Sequence, residues 1–143
     1  MTFGRILIAL DESALAAHAV TVGCDLANAL NADVALVYVL DPTLAYLPES
    51  GIPAADLMAE LKREGERLLS AAAKRRGDNP AWHFLREGKP ADELLATARE
   101  WNADLIVIGT HGRSGVSRLV MGSTAESVLR RATCPVLIVK VSE

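Results

Sequence analysis

Residues 104–124 read DLIVIGTHGRSGVSRLVMGST, and this stretch joins an apolar strand to the start of a helix through a loop rich in glycine and serine. Asp104 opens an aliphatic run that ends at Ile108, which is typical of a strand buried on both faces of a parallel sheet. The loop runs from Gly109 to about Gly122. A strand followed by a loop and a helix is the repeating unit of folds with parallel sheets.

The rest of the chain alternates in the same way. Apolar runs predict strands at residues 5–10, 34–40, 81–86, 104–108 and 135–141, and spacings of three and four predict helices at 13–31, 54–76, 90–100 and 123–131. Crossovers of helix length require parallel pairing with right-handed connections. We therefore expect an α/β fold, a three-layer doubly wound sheet of five parallel strands in the order 3-2-1-4-5, as a single domain over residues 1–143.

Composition limits the possible partners. The chain has 143 residues, is 50% hydrophobic and only 4% aromatic, and carries a formal net charge of −3, so neither nucleic acid nor anionic lipid is an expected partner. No export signal and no apolar stretch of 18 residues is present, so we expect no membrane span. Cys24 and Cys134 lack the spacing of metal ligands, and a reducing cytoplasm fits them best.

Strand order then predicts where a ligand binds. In a doubly wound sheet the ligand lies outside the carboxyl ends of the strands, where the strand order reverses. With the order 3-2-1-4-5 this point lies between strands one and four, after Leu10 and Ile108. Glycines at 109, 112 and 122 let backbone amides approach an anion, and Ser123 and Thr124 stand at a helix N-terminus. The loop after strand four therefore predicts a phosphate site.

Other polar residues at this point have two interpretations each. Asp11 follows strand one and could accept hydrogen bonds from ribose or hold a hydrated Mg²⁺, or it could cap the first helix. His111 could touch a phosphate or act as an acid or base, or it could be a solvated loop residue. Arg113 lies nearer the phosphate site than Arg118. Another cationic group, residues 74–76, is expected to complement a helix dipole.

The loop differs from the two common nucleotide motifs. No GxxxxGK[ST] occurs, and the turn after strand one has no glycine. The spacing of Gly109, Gly112, Gly122 and Ser123 instead resembles the nucleotide-binding signature of the universal stress protein family, in its ATP-binding branch. The segments RILIALDES, VYVLDP, IVIGTHGRSG and GSTAESVLRRATCPVLIVK carry the resemblance, which covers nearly the whole chain.

The resemblance implies the adenine nucleotide alpha hydrolase-like form of the fold and an adenine nucleotide, ATP or AMP, as ligand, with Mg²⁺ beside ATP through Asp11. Carried over to this sequence, the nucleotide-binding residues are Ala9, Leu10, Asp11, Val39, Gly109, Gly112, Arg113, Gly122, Ser123 and Thr124. Ala125 stands where some ATP-binding members have threonine, so phosphate contacts are expected chiefly at Ser123. The resemblance also implies a small homodimer linked to survival under stress.

The function expected from these features is a cytoplasmic regulatory protein that binds an adenine nucleotide and changes its preference for a regulatory partner, not identified by the sequence. One rival is a slow ATPase or phosphotransferase that uses His111 and Arg113. Another is a dimeric scaffold of the same fold that binds no nucleotide. In each case the apolar strand 135–141, at the edge of the sheet, is expected to pair with the same strand of a second copy.

Overall fold

A computed structural model describes residues 2–10, 16–45, 51–110 and 121–140. The strands are β1 (Arg5–Leu10), β2 (Asp33–Leu40), β3 (Ala81–Glu87), β4 (Leu105–Gly109) and β5 (Val136–Val139), and the α-helices are α1 (Ala16–Leu30), α2 (Ala54–Ala73), α3 (Pro90–Trp101) and α4 (Ser123–Arg131). Short 3-10 helices follow β2 at Pro42–Ala45 and follow α2 at Lys74–Arg76. The sheet has the order β3-β2-β1-β4-β5 with every pair parallel, which confirms the predicted fold.

Successive side chains of the central strands point to opposite faces of the sheet, and helices cover both faces. In β1, Ile6 and Ile8 pack against the face that α1 and α2 cover, whereas Leu7 and Ala9 pack against the face that α3 and α4 cover. A strand with neighbours on both sides and helices on both faces has no exposed position, so its sequence is a continuous apolar run. All four of these residues are buried.

Several boundaries differ from those predicted, mostly by one residue. Asp104 precedes β4, and its carboxylate accepts the amide hydrogens of Gly4 and Arg5, both at 2.9 Å, at the start of β1. The last three residues predicted for the second helix form a 3-10 turn. Strand β5 is shorter than the predicted 135–141, since Pro135 and Lys140 lie outside it and Val141 lies outside the described residues.

One of the cationic residues 74–76 makes specific contacts inside the protein. Arg76 is buried, only 7% exposed, and its guanidinium donates to Asn28 Oδ1 at 2.5 Å and to the Ala32 carbonyl at 3.2 Å. Asn28 lies in the last turn of α1, and Ala32 lies two residues past the end of that helix. Arg76 therefore joins the end of α2 to the end of α1.

Both cysteines are free thiols. Cys24 is buried on α1 and Cys134 is half-buried just before β5. Burial raises the pKa of the Cys24 thiol, and it also raises the pKa of the Cys134 thiol, with a smaller contribution in the same direction from the negative charge of Asp104. Since both thiols are held in the neutral form, they behave as small apolar side chains.

Candidate functional site

The switch point lies where β1 and β4 end. The two strands pair through Ile6 with Leu105, Leu7 with Ile106 and Ile8 with Val107. Helix α1, which follows β1, packs on one face of the sheet, and helix α4, which follows β4, packs on the other face. The ends of β1 and β4 are therefore the switch point, where doubly wound sheets bind ligands in a crevice.

Gly109 is the last residue of β4, at the carboxyl end of the strand. Among the described residues, none apart from its chain neighbours has an atom within 4 Å of the position that a Cβ would occupy there. On the side of the described residues, a ligand can therefore approach the backbone of β4 closely.

Helix α4 begins near the end of β4, and its N-cap residue has no side chain with which to cap it. Its N-cap is Gly122, with extended backbone at φ −62° and ψ 152°, and the first intrahelical bond runs from the Glu126 amide to the Gly122 carbonyl at 3.0 Å. The amides of Ser123, Thr124 and Ala125 precede that bond and have no carbonyl acceptor inside the helix. Three amide hydrogens at the positive end of the helix dipole form an arrangement that suits an anion.

The side chains of this first turn are not equivalent. Ser123 is exposed and Thr124 is half-buried, whereas Ala125 is buried against the sheet with Val128. A hydroxyl at Ser123 is therefore accessible to a ligand, and the methyl group of Ala125 belongs to the core.

Two backbone hydrogen bonds hold the ends of the long loop together. The Gly122 amide donates to the Thr110 carbonyl at 2.6 Å, and the Thr110 amide donates to the Val139 carbonyl at 3.1 Å. Gly109, which precedes Thr110, is paired with Val139 in the sheet. The start of α4 is thus tied to the end of β4, and through Thr110 to the last residue of β5. Sequence reasoning missed Thr110 because its contacts are made by the backbone.

The remaining predicted residues fall on both faces of the sheet. Ala9 and Val39 pack on the same face as Ala125 and the half-buried Met121, at the carboxyl ends of neighbouring strands. Leu10 packs on the opposite face, so only its backbone can face the crevice. The structure therefore brings Ala9, Val39, Gly109 and the α4 N-terminus to one edge. Asp11, His111, Gly112 and Arg113 lie outside the described residues, and their roles remain predictions.

Sequence reasoning also missed the turn that follows β2. The Asp41 carboxylate accepts hydrogen bonds from the Thr43 amide at 3.0 Å and from the Thr43 hydroxyl at 2.7 Å. This contact fixes the 3-10 helix Pro42–Ala45 beside Val39. An aspartate two residues before a threonine is the sequence signal of such a turn.

A cavity of about 220 Å³ lies at the other end of the sheet. It is lined by Leu95, Asn102, Ile106 and Cys134 among others, where the chain enters β4 and β5. It is separate from the switch point at the carboxyl ends of the strands.

Within residues 2–10, 16–45, 51–110 and 121–140, no three His, Cys, Asp or Glu side chains gather as metal ligands. In the same part of the chain, no helix combines the length and the apolar character needed to cross a membrane.

These features define a doubly wound α/β protein with a candidate anion site at its switch point. The chain belongs to the universal stress protein family, whose family model matches residues 2–140. It is 35% identical to a universal stress protein of Methanocaldococcus jannaschii, over 96% of this chain and 82% of that protein.

Solved structures agree with this assignment. A protein of the family from Burkholderia pseudomallei is 35% identical with a TM-score of 0.76, and the match covers 96% of both chains. A universal stress protein in complex with cAMP is 27% identical with a TM-score of 0.75, and the match covers 99% of this chain and 100% of that one.

Proposed function

We propose that this protein binds an adenine nucleotide, ATP or AMP, in the crevice between the ends of β1 and β4, and acts as a regulatory protein of the stress response. The observation that carries the proposal is the first turn of α4, whose amides have no acceptor inside the helix, close to Gly109, whose Cβ position no described residue other than its chain neighbours approaches within 4 Å. The related universal stress protein in complex with cAMP supports an adenine nucleotide as the class of ligand.

Each residue has a role that follows from its position. The amides of Ser123, Thr124 and Ala125, with the Ser123 hydroxyl, would hold the phosphates. Gly122, whose own amide is bonded to Thr110, would leave room for them, and Gly109 would let the ligand approach β4. Ala9 and the Leu10 backbone would line the crevice, and Val39 would contact the adenine. Outside the described residues, Asp11 would accept from the ribose or hold Mg²⁺ beside ATP, and Gly112 and Arg113 would complete the phosphate site.

The proposed setting is the cytoplasm, as a single domain over residues 1–143. The partner is a regulatory protein whose affinity changes when the nucleotide is bound.

We also propose a homodimer formed through β5, and the two edges of the sheet support this choice. On β3, Arg86 pairs with Glu100 at 2.6 Å and Glu87 pairs with Lys62 at 2.8 Å, so charged groups flank that edge. All four residues of β5 are aliphatic, and three of them are only half-buried. Charges on an edge strand oppose pairing with another strand, whereas an aliphatic edge favours it.

The hydrogen bonds between β4 and β5 show which backbone groups of β5 point toward a second copy. The Pro135 carbonyl bonds to the Ile106 amide and the Val139 carbonyl bonds to the Thr110 amide, both on the β4 side. Because backbone groups alternate in direction along a strand, Val136 and Ile138 direct their amides and carbonyls away from β4. A second β5 could accept these groups in an antiparallel, closed dimer.

The test of nucleotide binding has two parts. Heat extraction of the purified protein should release an adenine nucleotide, and calorimetry with ATP, AMP and cAMP should give a dissociation constant in the micromolar range for at least one of them. Gly122→Val should weaken that binding sharply, because the added side chain occupies the anion site.

Gly4→Val is the matched control. It lies at the opposite end of the sheet, where a Cβ would meet nothing closer than 3.6 Å. If the parent protein and the Gly4 variant bind none of the three nucleotides, or if Gly122→Val binds as well as the parent, the proposed site is wrong.

A further inference from the structure

The backbone of Thr110 lies between the proposed phosphate site and the edge strand β5. Its carbonyl accepts from the Gly122 amide at the start of α4, and its amide donates to the carbonyl of Val139 at the end of β5. Two consecutive hydrogen bonds therefore connect the first turn of α4 with the edge strand. No side chain takes part in this connection.

The backbone groups of β5 point to two different sides of the strand. Val139 directs its carbonyl inward to Thr110, whereas Val136 and Ile138 direct their groups outward. Pairing of the outer side with a second copy would not compete with the bond to Thr110. It would instead order the strand that carries the acceptor of that bond, because a free edge strand only four residues long opens more easily than one held on both sides.

We propose that Thr110 is a positioning residue that couples nucleotide binding to dimer formation: pairing of β5 with a second copy fixes Thr110 and Gly122 in the arrangement that binds phosphate, and nucleotide binding in turn strengthens the dimer. This inference rests on the proposed nucleotide site and the proposed dimer. Coupling between two binding events is reciprocal, so each must strengthen the other by the same factor.

The first experiment measures both directions of this coupling. Sedimentation velocity over a dilution series gives the dissociation constant of the dimer without nucleotide and with saturating ATP or AMP. Calorimetry gives the nucleotide affinity of the parent and of Ile138→Pro, in which the proline removes an outward amide. We expect Ile138→Pro to bind nucleotide about fivefold more weakly or worse, since coupling factors usually start near that value. With two sites in the dimer, the same factor would lower the dimer dissociation constant about 25-fold.

The second experiment tests the route through Thr110. Thr110→Pro removes the amide that donates to Val139, whereas Thr110→Val keeps it. Thr110→Val should retain the effect of nucleotide on the dimer, and Thr110→Pro should bind nucleotide with an affinity that no longer depends on protein concentration. Coupling that persists in Thr110→Pro would overturn the route through Thr110. If Thr110→Pro does not fold, the comparison of the parent with Ile138→Pro still tests whether pairing of β5 and nucleotide binding are coupled.

The outcomes separate the coupling from the function on which it rests. Absence of nucleotide binding in every form would contradict the proposed function itself. Equal nucleotide affinity in the parent and Ile138→Pro, with a dimer dissociation constant that nucleotide leaves unchanged, would overturn the coupling and leave the nucleotide site in place. A parent protein that stays monomeric at all concentrations would also overturn the coupling.

Discussion

Gly23 of α1 lies directly over Ile8 of β1, so closely that a Cβ at Gly23 would come within 2.6 Å of Ile8 Cδ1 and 2.8 Å of Ile8 Cγ1. Ile8 is fully buried, so its side chain would have to shift within a closely packed core to admit a methyl group at Gly23. The absence of a side chain at Gly23 therefore sets how near α1 approaches the strand that ends at the proposed nucleotide site.

Gly23→Ala should destabilise the protein by about 1–2 kcal/mol. Overpacking a core costs about 1–3 kcal/mol, and the better helix propensity of alanine returns up to about 1 kcal/mol. Urea unfolding followed by tryptophan fluorescence measures the change. Its reporters are Trp82 and Trp101, whose ring centroids are 6.0 Å apart and far from Gly23 in the sequence.

Ile8→Val provides the control, because it removes the Cδ1 atom that the new methyl group would strike. In the parent it should cost about 1 kcal/mol, as expected for loss of a buried methylene. In the Gly23→Ala background it should cost less than in the parent. Strict additivity of the two changes would contradict the steric explanation.

Arg76→Ala should destabilise the protein by about 2–3 kcal/mol. It removes two hydrogen bonds from a charged donor and leaves the Ala32 carbonyl without this partner at the end of α1. Arg75→Ala is the matched control: its guanidinium donates to Thr21 Oγ1 on the exposed surface, and loss of such a contact should change stability by no more than about 0.5 kcal/mol. An equal loss of unfolding free energy in the two variants would show that the burial of Arg76 adds nothing to stability.

The strand order could be predicted from the sequence because each central strand carries its own signal. The run RILIAL is apolar at every position except its first, as expected of a strand covered on both faces. Because segments of helical spacing separate such runs, few topologies are possible. The ends of β5 could not be predicted in this way. Pro135 and Val141 continue the apolar pattern, although the observed strand spans only four residues.

The sequence pattern could not predict side-chain contacts between residues far apart in the chain. Arginine is usually exposed, so nothing in the run Lys74, Arg75 and Arg76 distinguishes the one that reaches Asn28, 48 residues away in the chain. Within the candidate site, Gly109 and Gly122 could be predicted because glycine and a helix start leave a recognisable pattern. The bonds of Thr110 could not, since backbone hydrogen bonds do not depend on the identity of the side chain.

Asp11→Ala should weaken nucleotide binding by about 1–3 kcal/mol, the usual value for loss of a charge-assisted hydrogen bond. Asp11→Asn separates this role from that of a helix cap, because asparagine caps a helix as well as aspartate does but carries no charge. A role in binding predicts that both variants lose affinity in calorimetry. Full affinity in Asp11→Ala would mean that Asp11 only caps the first helix. Loss of such a cap lowers the free energy of unfolding but not the affinity for nucleotide.

Turnover of ATP should be far below the ordinary enzyme rate of roughly 10 s⁻¹. Hydrolysis needs a positioned base and groups that stabilise the developing charge. His111 and Arg113 are the residues of the loop that could supply them. Release of ADP from ATP and Mg²⁺, followed over hours, measures the rate. Hydrolysis near 10 s⁻¹ that disappears in His111→Ala would favour the ATPase instead of a binding protein.

Ile138→Pro should convert the proposed dimer into a monomer without unfolding the chain. Proline lacks the amide hydrogen, and at residue 138 that hydrogen is directed away from β4, toward the partner strand. Light scattering at micromolar concentration should give twice the mass of the chain for the parent, which is 15.2 kDa per copy, and the mass of one copy for the variant.

Leu137→Pro is the matched control, because its amide belongs to the side of β5 that pairs with β4. Proline at that position removes a hydrogen bond within the sheet, so it should lower the free energy of unfolding as well as the mass. Ile138→Pro should leave the unfolding of the monomer nearly unchanged. A parent protein that scatters as a monomer would mean that β5 is not the pairing edge, and a dimer that persists in Ile138→Pro would place the interface elsewhere, for example near Leu129 of α4, which is 48% exposed.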